Sequence, residues 1–182
     1  MPLTLTVGGL PGTGSSTLCR LLEASLGLPY VYTGQIFRQR AVERGLSLED
    51  FNELAQHDPA VDRELDDRQL DYLRRGGLIL EGRLSGWLAH TQGIEAFTVW
   101  VVCDEAERIR RLVSRDGGDA ATRARLAAER VEREADRYRT YYGADLEDLT
   151  IYDLVVDSTE RTPDELRDAV LAELEARGLI ER

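Results

Sequence analysis

A glycine-rich segment near the start of the chain has the residue types of a phosphate-binding loop. Its nine residues are Gly9, Leu10, Pro11, Gly12, Thr13, Gly14, Ser15, Ser16 and Thr17. Glycines let backbone N–H groups face an anion, and the helix that follows adds its free N–H groups and the positive end of its dipole. Because the segment lies between an apolar run and a helical pattern, the sequence predicts a loop that binds the phosphates of ATP.

The loop departs from the common pattern GxxxxGK[ST] at one position. Gly9, Gly14 and Ser16 match the pattern, whereas Ser15 occupies the position of the lysine that reaches the outer phosphates. The chain contains no lysine, so arginine side chains must supply the missing charge. A plain glycine turn between a strand and a helix, with the hydroxyl groups capping the helix, is the alternative interpretation.

Two side chains are candidates for holding Mg²⁺. Ser16 has the hydroxyl that binds the ion in phosphate-binding loops, and Thr17 is a second hydroxyl beside it. Glu81 directly follows the apolar run 78–80, as the acidic residue of a Walker B strand does. We therefore predict Ser16 and Glu81 as metal ligands, with the carboxylate acting through water.

Two arginines lie just beyond predicted strands. Arg38 comes one turn into the helix that follows the strand 30–32, and Arg83 comes two residues after Glu81. Ligands of open α/β sheets bind beyond the carboxyl ends of the strands, and a guanidinium group matches two phosphate oxygens at once. A lone arginine is more often a solvated surface residue, but both positions face the same predicted cleft.

A further group of arginines lies in the polar segment 128–142. Arg130, Arg133 and Arg137 are separated by three and four positions, so they fall on one face of a helix. Acidic residues between them allow one interpretation, a salt-bridged exposed helix. The other interpretation is a lid that brings guanidinium groups onto a transferring phosphoryl group and excludes water.

The elements that must position these residues alternate between strand and helix. The predicted strands cover residues 3–8, 30–32, 78–80, 97–102 and 152–156, and the predicted helices cover 15–26, 35–44, 59–75, 105–115, 120–142 and 163–177, with another starting after Ser47. Continuous apolar runs such as 97–102 are typical of the central strands of a parallel sheet. Five strands separated by helices predict an α/β fold of the P-loop NTPase type, a doubly wound parallel sheet with helices on both faces.

The composition excludes several classes of partner. The 182 residues suffice for a single domain, and the formal net charge of −11 argues against nucleic acid or an anionic membrane as the main partner. No apolar run approaches the ~20 residues that a membrane-spanning helix needs. The first nine residues lack the pattern of a signal peptide, so we expect a cytoplasmic protein.

Six segments, in order along the chain, together resemble a known family. They are GLPGTGSST, YTGQIFRQRAVERGLSLEDF, DPAVDRELDDRQ, LILEGRLSGWLA, EREADRYRTYYG and IYDLVVDST. The combination resembles the archaeal-like cytidylate kinases, a subgroup of the nucleoside monophosphate kinases. The resemblance implies one domain over residues 1–182, with a monophosphate-binding segment at about 33–75 and a small lid at about 115–140. It also implies Mg²⁺-dependent phosphoryl transfer from ATP to CMP or dCMP by a monomer.

The resemblance implies roles for individual residues. The loop residues would bind ATP, and Arg83, Arg133 and Arg137 would be catalytic. The residues implied in substrate binding are Thr33, Gly34, Arg38, Arg63, Arg68 and Arg83. Because the subgroup often has a small hydroxyl residue at the lysine position, Ser15 is a variant of the loop rather than a loss of it.

Two departures from the family's pattern bear on base choice. Gln35 stands where relatives often have an acidic residue, and Leu84 stands where the bacterial branch has an aspartate that contacts cytosine or ribose. One alternative is therefore a kinase for another nucleoside monophosphate or small molecule. The other is a nucleotide sensor that kept the fold and lost turnover with the loop lysine.

Overall fold

Five parallel strands form the centre of the molecule. The computed structural model describes residues 2–181, without the side chains at positions 49, 52 and 56. The strands are β1 (Leu5–Gly9), β2 (Tyr30–Tyr32), β3 (Ile79–Glu81), β4 (Phe97–Val102) and β5 (Leu154–Asp157). They pair in the order β2-β3-β1-β4-β5, and every pair is parallel. This confirms the predicted doubly wound sheet.

Helices connect the strands and cover the sheet. They are α1 (Ser15–Leu26), α2 (Thr33–Glu43), α3 (Leu48–His57), α4 (Pro59–Arg75), α5 (Ser85–Thr91), α6 (Glu105–Asp116), α7 (Ala120–Tyr142) and α8 (Pro163–Ala176). Within the part of the chain that the structure describes, none of these helices is both long and apolar enough to cross a membrane.

The predicted elements agree with the structure except at a few places. The bounds predicted for β2, β4, α1, α4 and α7 match residue for residue. The prediction missed α5, because five consecutive residues of this short helix are buried and it has no polar face to reveal its period. The last strand begins at Leu154 rather than residue 152, since Tyr152 closes a turn onto Leu149 and packs its ring 5.1 Å from that of Trp100.

The strand register brings the carboxyl ends of three strands together. Val7 of β1 pairs with Glu81 of β3, and Tyr32 of β2 pairs with the same Glu81. The glycine-rich loop after β1, the residues after β3 and the start of α2 therefore lie at one edge of the sheet. This is the edge at which ligands of open α/β sheets bind.

Two apolar layers hold the sheet between the helices. One layer packs β1 and β4 against α1 and α8, with Leu18, Leu22 and Val170 fully buried. The other packs β3 against α3, α4 and α5, with Phe51 and Leu73 fully buried. Both faces are covered by helices, which is why the central strands β1 and β4 are buried along nearly their whole length and are mostly apolar.

Side chains cap the N-termini of several helices. The Ser47 hydroxyl accepts from the N–H of Asp50, and the Asp58 carboxylate accepts from the N–H of Ala60. Thr162 forms a capping box, in which its hydroxyl accepts from the N–H of Glu165 and the Glu165 carboxylate accepts from the N–H of Thr162.

Substitution Thr162→Ala is expected to lower the free energy of unfolding by about 1 kcal/mol, because it removes the cap of α8. A loss of about 1 kcal/mol is small compared with the stability of a typical domain, so the fold should persist. Urea unfolding measures the difference. The control is Ser25→Ala, since the Ser25 hydroxyl bonds a carbonyl inside α1 and caps nothing. Equal midpoints for wild type and Thr162→Ala would contradict the capping role.

Candidate active site

The glycine-rich loop wraps around a point at the N-terminus of α1. Gly12 and Gly14 have φ angles of 89° and 90°, which residues with a side chain rarely adopt. A Cβ at Gly12 would also lie 2.6 Å from the carbonyl oxygen of Arg108. Among the described residues no side chain caps α1, because its cap residue is Gly14. The first N–H groups of α1 are therefore available to an anion.

Two arginines of α6 support the loop from outside. Arg108 donates to the carbonyl oxygen of Pro11 at 3.2 Å, and Arg111 donates to that of Thr13 at 3.3 Å. Arg111 also bonds the Ser158 carbonyl at 2.7 Å, and the Ser158 hydroxyl donates to Thr13 at 2.7 Å. These bonds place two guanidinium groups next to the loop that lacks lysine.

Sequence reasoning missed Arg108 and Arg111. The available signal was their position, one and two turns into the helix that follows β4. Helices that follow strands of such a sheet begin at the ligand-binding edge. The prediction considered the ends of β2 and β3 and passed over the equivalent position after β4.

Glu81 collects three hydroxyl groups at the end of β3. The hydroxyls of Ser15 and Ser16 each donate to its Oε1 at 2.7 Å. The hydroxyl of Tyr30 donates to its Oε2. Ser15 and Ser16 therefore contact the strand-end carboxylate, and neither of them caps α1.

Tyr30 was not predicted from the sequence. Burial, followed by the bond to Glu81, raises the pKa of its hydroxyl well above the ordinary value of 10. Tyr30 therefore remains a proton donor to Glu81 at every physiological pH. A tyrosine at the first position of a short strand carries no signal of this role.

The arrangement of Ser16 and Glu81 fits the donor set of Mg²⁺. The part of the chain that the structure describes has no group of three or more histidine, cysteine, aspartate or glutamate side chains that would hold a metal by themselves. Mg²⁺ in nucleotide sites needs no such group, because it keeps several waters and binds phosphate oxygens beside one or two protein ligands. Thr17, the second hydroxyl, is exposed on α1.

The start of α2 is tied to the end of β3. The Thr33 hydroxyl donates to the carbonyl oxygen of Glu81 at 3.1 Å. Arg38 donates to the Tyr32 hydroxyl, and its guanidinium lies over the Tyr32 ring at 5.1 Å from the centroid. A Cβ at Gly34 would lie 3.8 Å from Arg38 Nη1. Three predicted substrate residues, Thr33, Gly34 and Arg38, are thus neighbours at this edge.

Arg83 pairs with a carboxylate of α7. It donates to Glu134, whose other oxygen accepts from Arg130 at 3.0 Å. Burial is the largest single influence on Glu134 and opposes its ionisation, but the hydrogen bonds and charges of Arg83 and Arg130 together outweigh it and hold the pKa of this carboxyl below its usual value. The predicted lid helix α7 is therefore joined to Arg83, two residues after the end of β3.

Arg137 joins α7 to α4. Its guanidinium lies 3.2 Å from Asp62 and 3.4 Å from Asp66. Asp66 is almost fully buried and also accepts from the Tyr142 hydroxyl at 2.7 Å and from the Gln69 amide at 3.0 Å. This buried carboxyl is the centre of a network that sequence reasoning did not identify.

The remaining predicted arginines lie outside this network. Arg133 is exposed and donates to the carbonyl oxygen of Glu129 in its own helix. Arg68 forms an ion pair with Glu43 at 3.0 Å, and Arg63 lies over the ring of Tyr141. The structure thus connects Arg83 and Arg137 through α7, and it places Arg63, Arg68 and Arg133 on other contacts.

Helix α7 contains the features of both interpretations of its sequence. Ion pairs along its exposed side join Arg125 to Glu129 and Arg139 to Asp136. Its other side holds Arg137 against α4 and Glu134 against Arg83. Movement of α7 as a lid remains a prediction.

Comparison with known proteins gives consistent matches. Residues 5–139 match a family model described as an AAA domain. A cytidylate kinase from Methanopyrus kandleri is 39% identical over 170 residues, covering 90% of this chain and 88% of that protein. A cytidylate kinase from Pyrococcus furiosus is 39% identical over 162 residues, covering 89% of this chain and 83% of that protein. The crystal structure of shikimate kinase from Aquifex aeolicus has the same fold, with a TM-score of 0.65 at 20% identity over 97% of this chain and 99% of that one.

Substitution Asp66→Asn is expected to change how stability depends on pH. Burial raises the pKa of the Asp66 carboxyl from 3.8 to about 6, although the nearby Arg137 opposes the shift. The folded state therefore holds this proton more tightly than the unfolded chain does. The resulting stabilisation is complete below about pH 4 and is lost as the pH rises through about 6, a change on the order of 2–3 kcal/mol.

Urea unfolding of wild type and Asp66→Asn at about pH 4.5 and about pH 7.5 measures this change. The free energy of unfolding of wild type should fall relative to the variant as the pH rises. Asp62→Asn serves as the control for loss of a charge beside Arg137. Parallel pH curves for wild type and Asp66→Asn would contradict the raised pKa.

Proposed function

Because the chain belongs to the cytidylate kinase family, we propose that it transfers the terminal phosphoryl group of ATP to CMP or dCMP, giving ADP and CDP or dCDP. One observation carries the proposal. The uncapped N-terminus of α1, the hydroxyls of Ser15 and Ser16 and the carboxylate of Glu81 meet at one edge of the sheet, and Arg83 follows Glu81 by two residues. This set provides N–H groups and cations for phosphates and oxygen ligands for a divalent cation.

The loop residues Gly9 to Thr17 would hold the phosphates of ATP. Their N–H groups and the dipole of α1 provide positive potential without a lysine. Arg108 and Arg111 add two guanidinium groups against the outer carbonyls of the loop. These two guanidinium groups, which contact the loop directly, would compensate part of the charge that a lysine at position 15 would contribute.

Ser16 and Glu81 would hold Mg²⁺, the first through its hydroxyl and the second through water. The ion would neutralise charge on the phosphate oxygens of ATP. The bonds of Ser15, Ser16 and Tyr30 to Glu81 fix the position of its carboxylate.

Arg38 and Arg83 would bind the phosphate of the acceptor nucleotide, with Thr33 and Gly34 beside them. In the present conformation Arg83 is paired with Glu134. A phosphate offers the same guanidinium two acceptor oxygens with more charge, so it competes with the carboxylate. Arg63 and Arg68 belong to the same substrate segment and link it to neighbouring helices.

The transfer itself needs positioning and charge stabilisation more than a general base. The acceptor is already an anion, and the transition state of phosphoryl transfer is loose. Arg83, Arg133 and Arg137 would stabilise the charge on the transferring group once α7 closes over it. Closure would also keep out water, which would otherwise accept the phosphoryl group.

The partners that we infer are small nucleotides. The net charge of −11 supports the absence of a nucleic-acid partner. A cytoplasmic monomer and a single domain over residues 1–182 remain predictions.

A coupled assay of ADP formation with ATP, Mg²⁺ and a panel of acceptors tests the proposal. The panel contains CMP, dCMP, UMP, AMP, shikimate and gluconate. We expect the highest kcat/KM with CMP or dCMP. Highest activity with another acceptor would replace the proposed substrate, and ATP binding without ADP formation for any acceptor would indicate a sensor.

Substitutions Arg133→Ala and Arg137→Ala are each expected to lower kcat by roughly 10²–10⁴, because each removes a charge partner of the transferring group. Steady-state kinetics with saturating ATP measures the effect, and thermal unfolding shows whether the variant is folded. Arg139→Ala is the matched control, since Arg139 lies on the exposed side of the same helix and pairs with Asp136. Near-normal turnover in both lid variants would refute the role of α7.

A further inference from the structure

The side-chain amide of Gln69 has one oxygen without a hydrogen-bond partner. Gln69 lies on α4 and is only 2% exposed. Its Nε2 donates to Asp66, but its buried Oε1 has no partner within the described residues. A buried acceptor left unpaired costs free energy, so such an atom in a folded protein calls for a partner such as an ordered water or a ligand.

The orientation of this amide is fixed by its neighbour. An ionised carboxylate only accepts hydrogen bonds, so the NH₂ end of Gln69 must face Asp66 and the oxygen must face away. Asp66 is itself held in place by Tyr142 at 2.7 Å and by Arg137 at 3.4 Å. The oxygen of Gln69 therefore has a fixed orientation as a hydrogen-bond acceptor before any ligand binds.

The acceptor faces the end of β3, where the proposed substrate residues lie. A Cβ at Gly82 would be 3.0 Å from Gln69 Oε1 and 2.8 Å from the Thr33 hydroxyl. The carbonyl oxygen of Gly82 is already bonded by the Ser85 hydroxyl at 2.6 Å, and Leu84 offers no polar group. The Thr33 hydroxyl already donates to the Glu81 carbonyl oxygen, whereas Gln69 Oε1 is an acceptor at this point with no partner within the described residues.

We propose that Gln69, oriented by Asp66, accepts a hydrogen bond from the 4-amino group of the cytosine ring and so sets the preference for cytosine over uracil nucleotides. The inference rests on the proposed function, because it concerns the base of the acceptor nucleotide. Arg83 follows Gly82 in the chain, so the proposed phosphate ligand and Gln69 both lie next to the end of β3. We place the phosphate of the nucleotide at Arg83 and its base, one ribose away, towards Gln69.

The chemistry of the two bases explains the discrimination. Cytosine has an amino group at position 4, which donates to the amide oxygen. Uracil has a carbonyl oxygen at the same position, which would face the amide oxygen and leave both acceptors unpaired. A site built to bond one group rejects an analogue that lacks it, because its own polar atom is then buried without a partner.

The first arm of the test compares kcat/KM for CMP and UMP in wild type, Gln69→Met and Asp66→Asn. Gln69→Met keeps the length of the side chain and removes the acceptor, so the preference for CMP over UMP should fall roughly ten- to a hundredfold. Asp66→Asn lets the Gln69 amide turn its NH₂ group towards the base, so kcat/KM for UMP should rise relative to kcat/KM for CMP. If Gln69 and Asp66 had a purely structural role, the substitutions would lower kcat/KM for CMP and UMP equally and leave the ratio of the two values unchanged.

The matched controls are Gln92→Met, the same substitution at an exposed glutamine after α5, and Asp62→Asn, which removes a charge beside Arg137 without touching Gln69. Both should keep the wild-type ratio of CMP to UMP. An unchanged ratio in Gln69→Met and Asp66→Asn would overturn the inference.

The second arm changes the ligand and needs no variant. Wild type should use the monophosphate of the pyrimidin-2-one ribonucleoside, which has hydrogen in place of the 4-amino group, roughly ten- to a hundredfold less well than CMP. Equal use of the two would overturn the inference even if the variants do not fold. If wild type phosphorylates no pyrimidine nucleotide, the proposed function itself fails. Activity with CMP but without these differences rejects only the role of Gln69.

Discussion

The carboxylate of Glu81 is the contact on which the geometry of the site depends. It accepts hydrogen bonds from the hydroxyls of Ser15 and Ser16 at the start of α1 and of Tyr30 at the start of β2. These three residues are far apart in sequence, and the pairing of β1 and β2 with β3 brings them to one carboxylate. Both oxygens of Glu81 accept hydrogen bonds, so this one carboxylate fixes the positions of the phosphate loop, the edge of the sheet and the proposed metal site relative to one another.

A chain without lysine must meet phosphate charge with arginine, and this constraint organises the rest of the site. Arginine remains charged when it is buried, but a buried guanidinium without a partner is strongly destabilising. The structure gives its half-buried arginines acidic partners, Glu134 for Arg83 and the Asp62–Asp66 pair for Arg137. A nucleotide phosphate can replace such a carboxylate without leaving the arginine unpaired. Glu134, Asp62 and Asp66 thus pair these two arginines before a ligand binds.

Sequence alone predicted the elements better than their arrangement. The helices α4 and α7 were predicted residue for residue because proline, cap residues and glycine mark their ends. The order of the strands was not predicted, since it depends on which apolar faces pack together. The positions of Arg63 and Arg68 show the same limit. Both lie in the substrate segment of the sequence, but the helical twist of α4 directs them to Tyr141 and Glu43.

The positions of the loop and of Glu81 were predictable, because glycines mark the turn between β1 and α1 and because Glu81 directly follows the apolar run of β3. The partners of the loop were less predictable. Arg108 and Arg111 reach it only because β4 lies next to β1, which places α6 beside the loop. Tyr30 reaches Glu81 for the corresponding reason on the other side of β1. Contacts between residues that are close in sequence can be predicted from the sequence. Contacts between residues on different strands can be predicted only when the order of the strands is known.

Helix α4 shows how one element can link the two functions that we infer. Its buried Asp66 contacts Arg137 of the proposed lid through Oδ2 and the Gln69 amide through Oδ1. A nucleotide that bonds Gln69 would stabilise the ionised, ordered form of Asp66, and that form attracts Arg137. Since linked equilibria are reciprocal, placement of Arg137 by Asp66 would in turn favour the orientation of Gln69 that binds cytosine. Recognition of the base and positioning of the lid arginine would then depend on the same carboxylate.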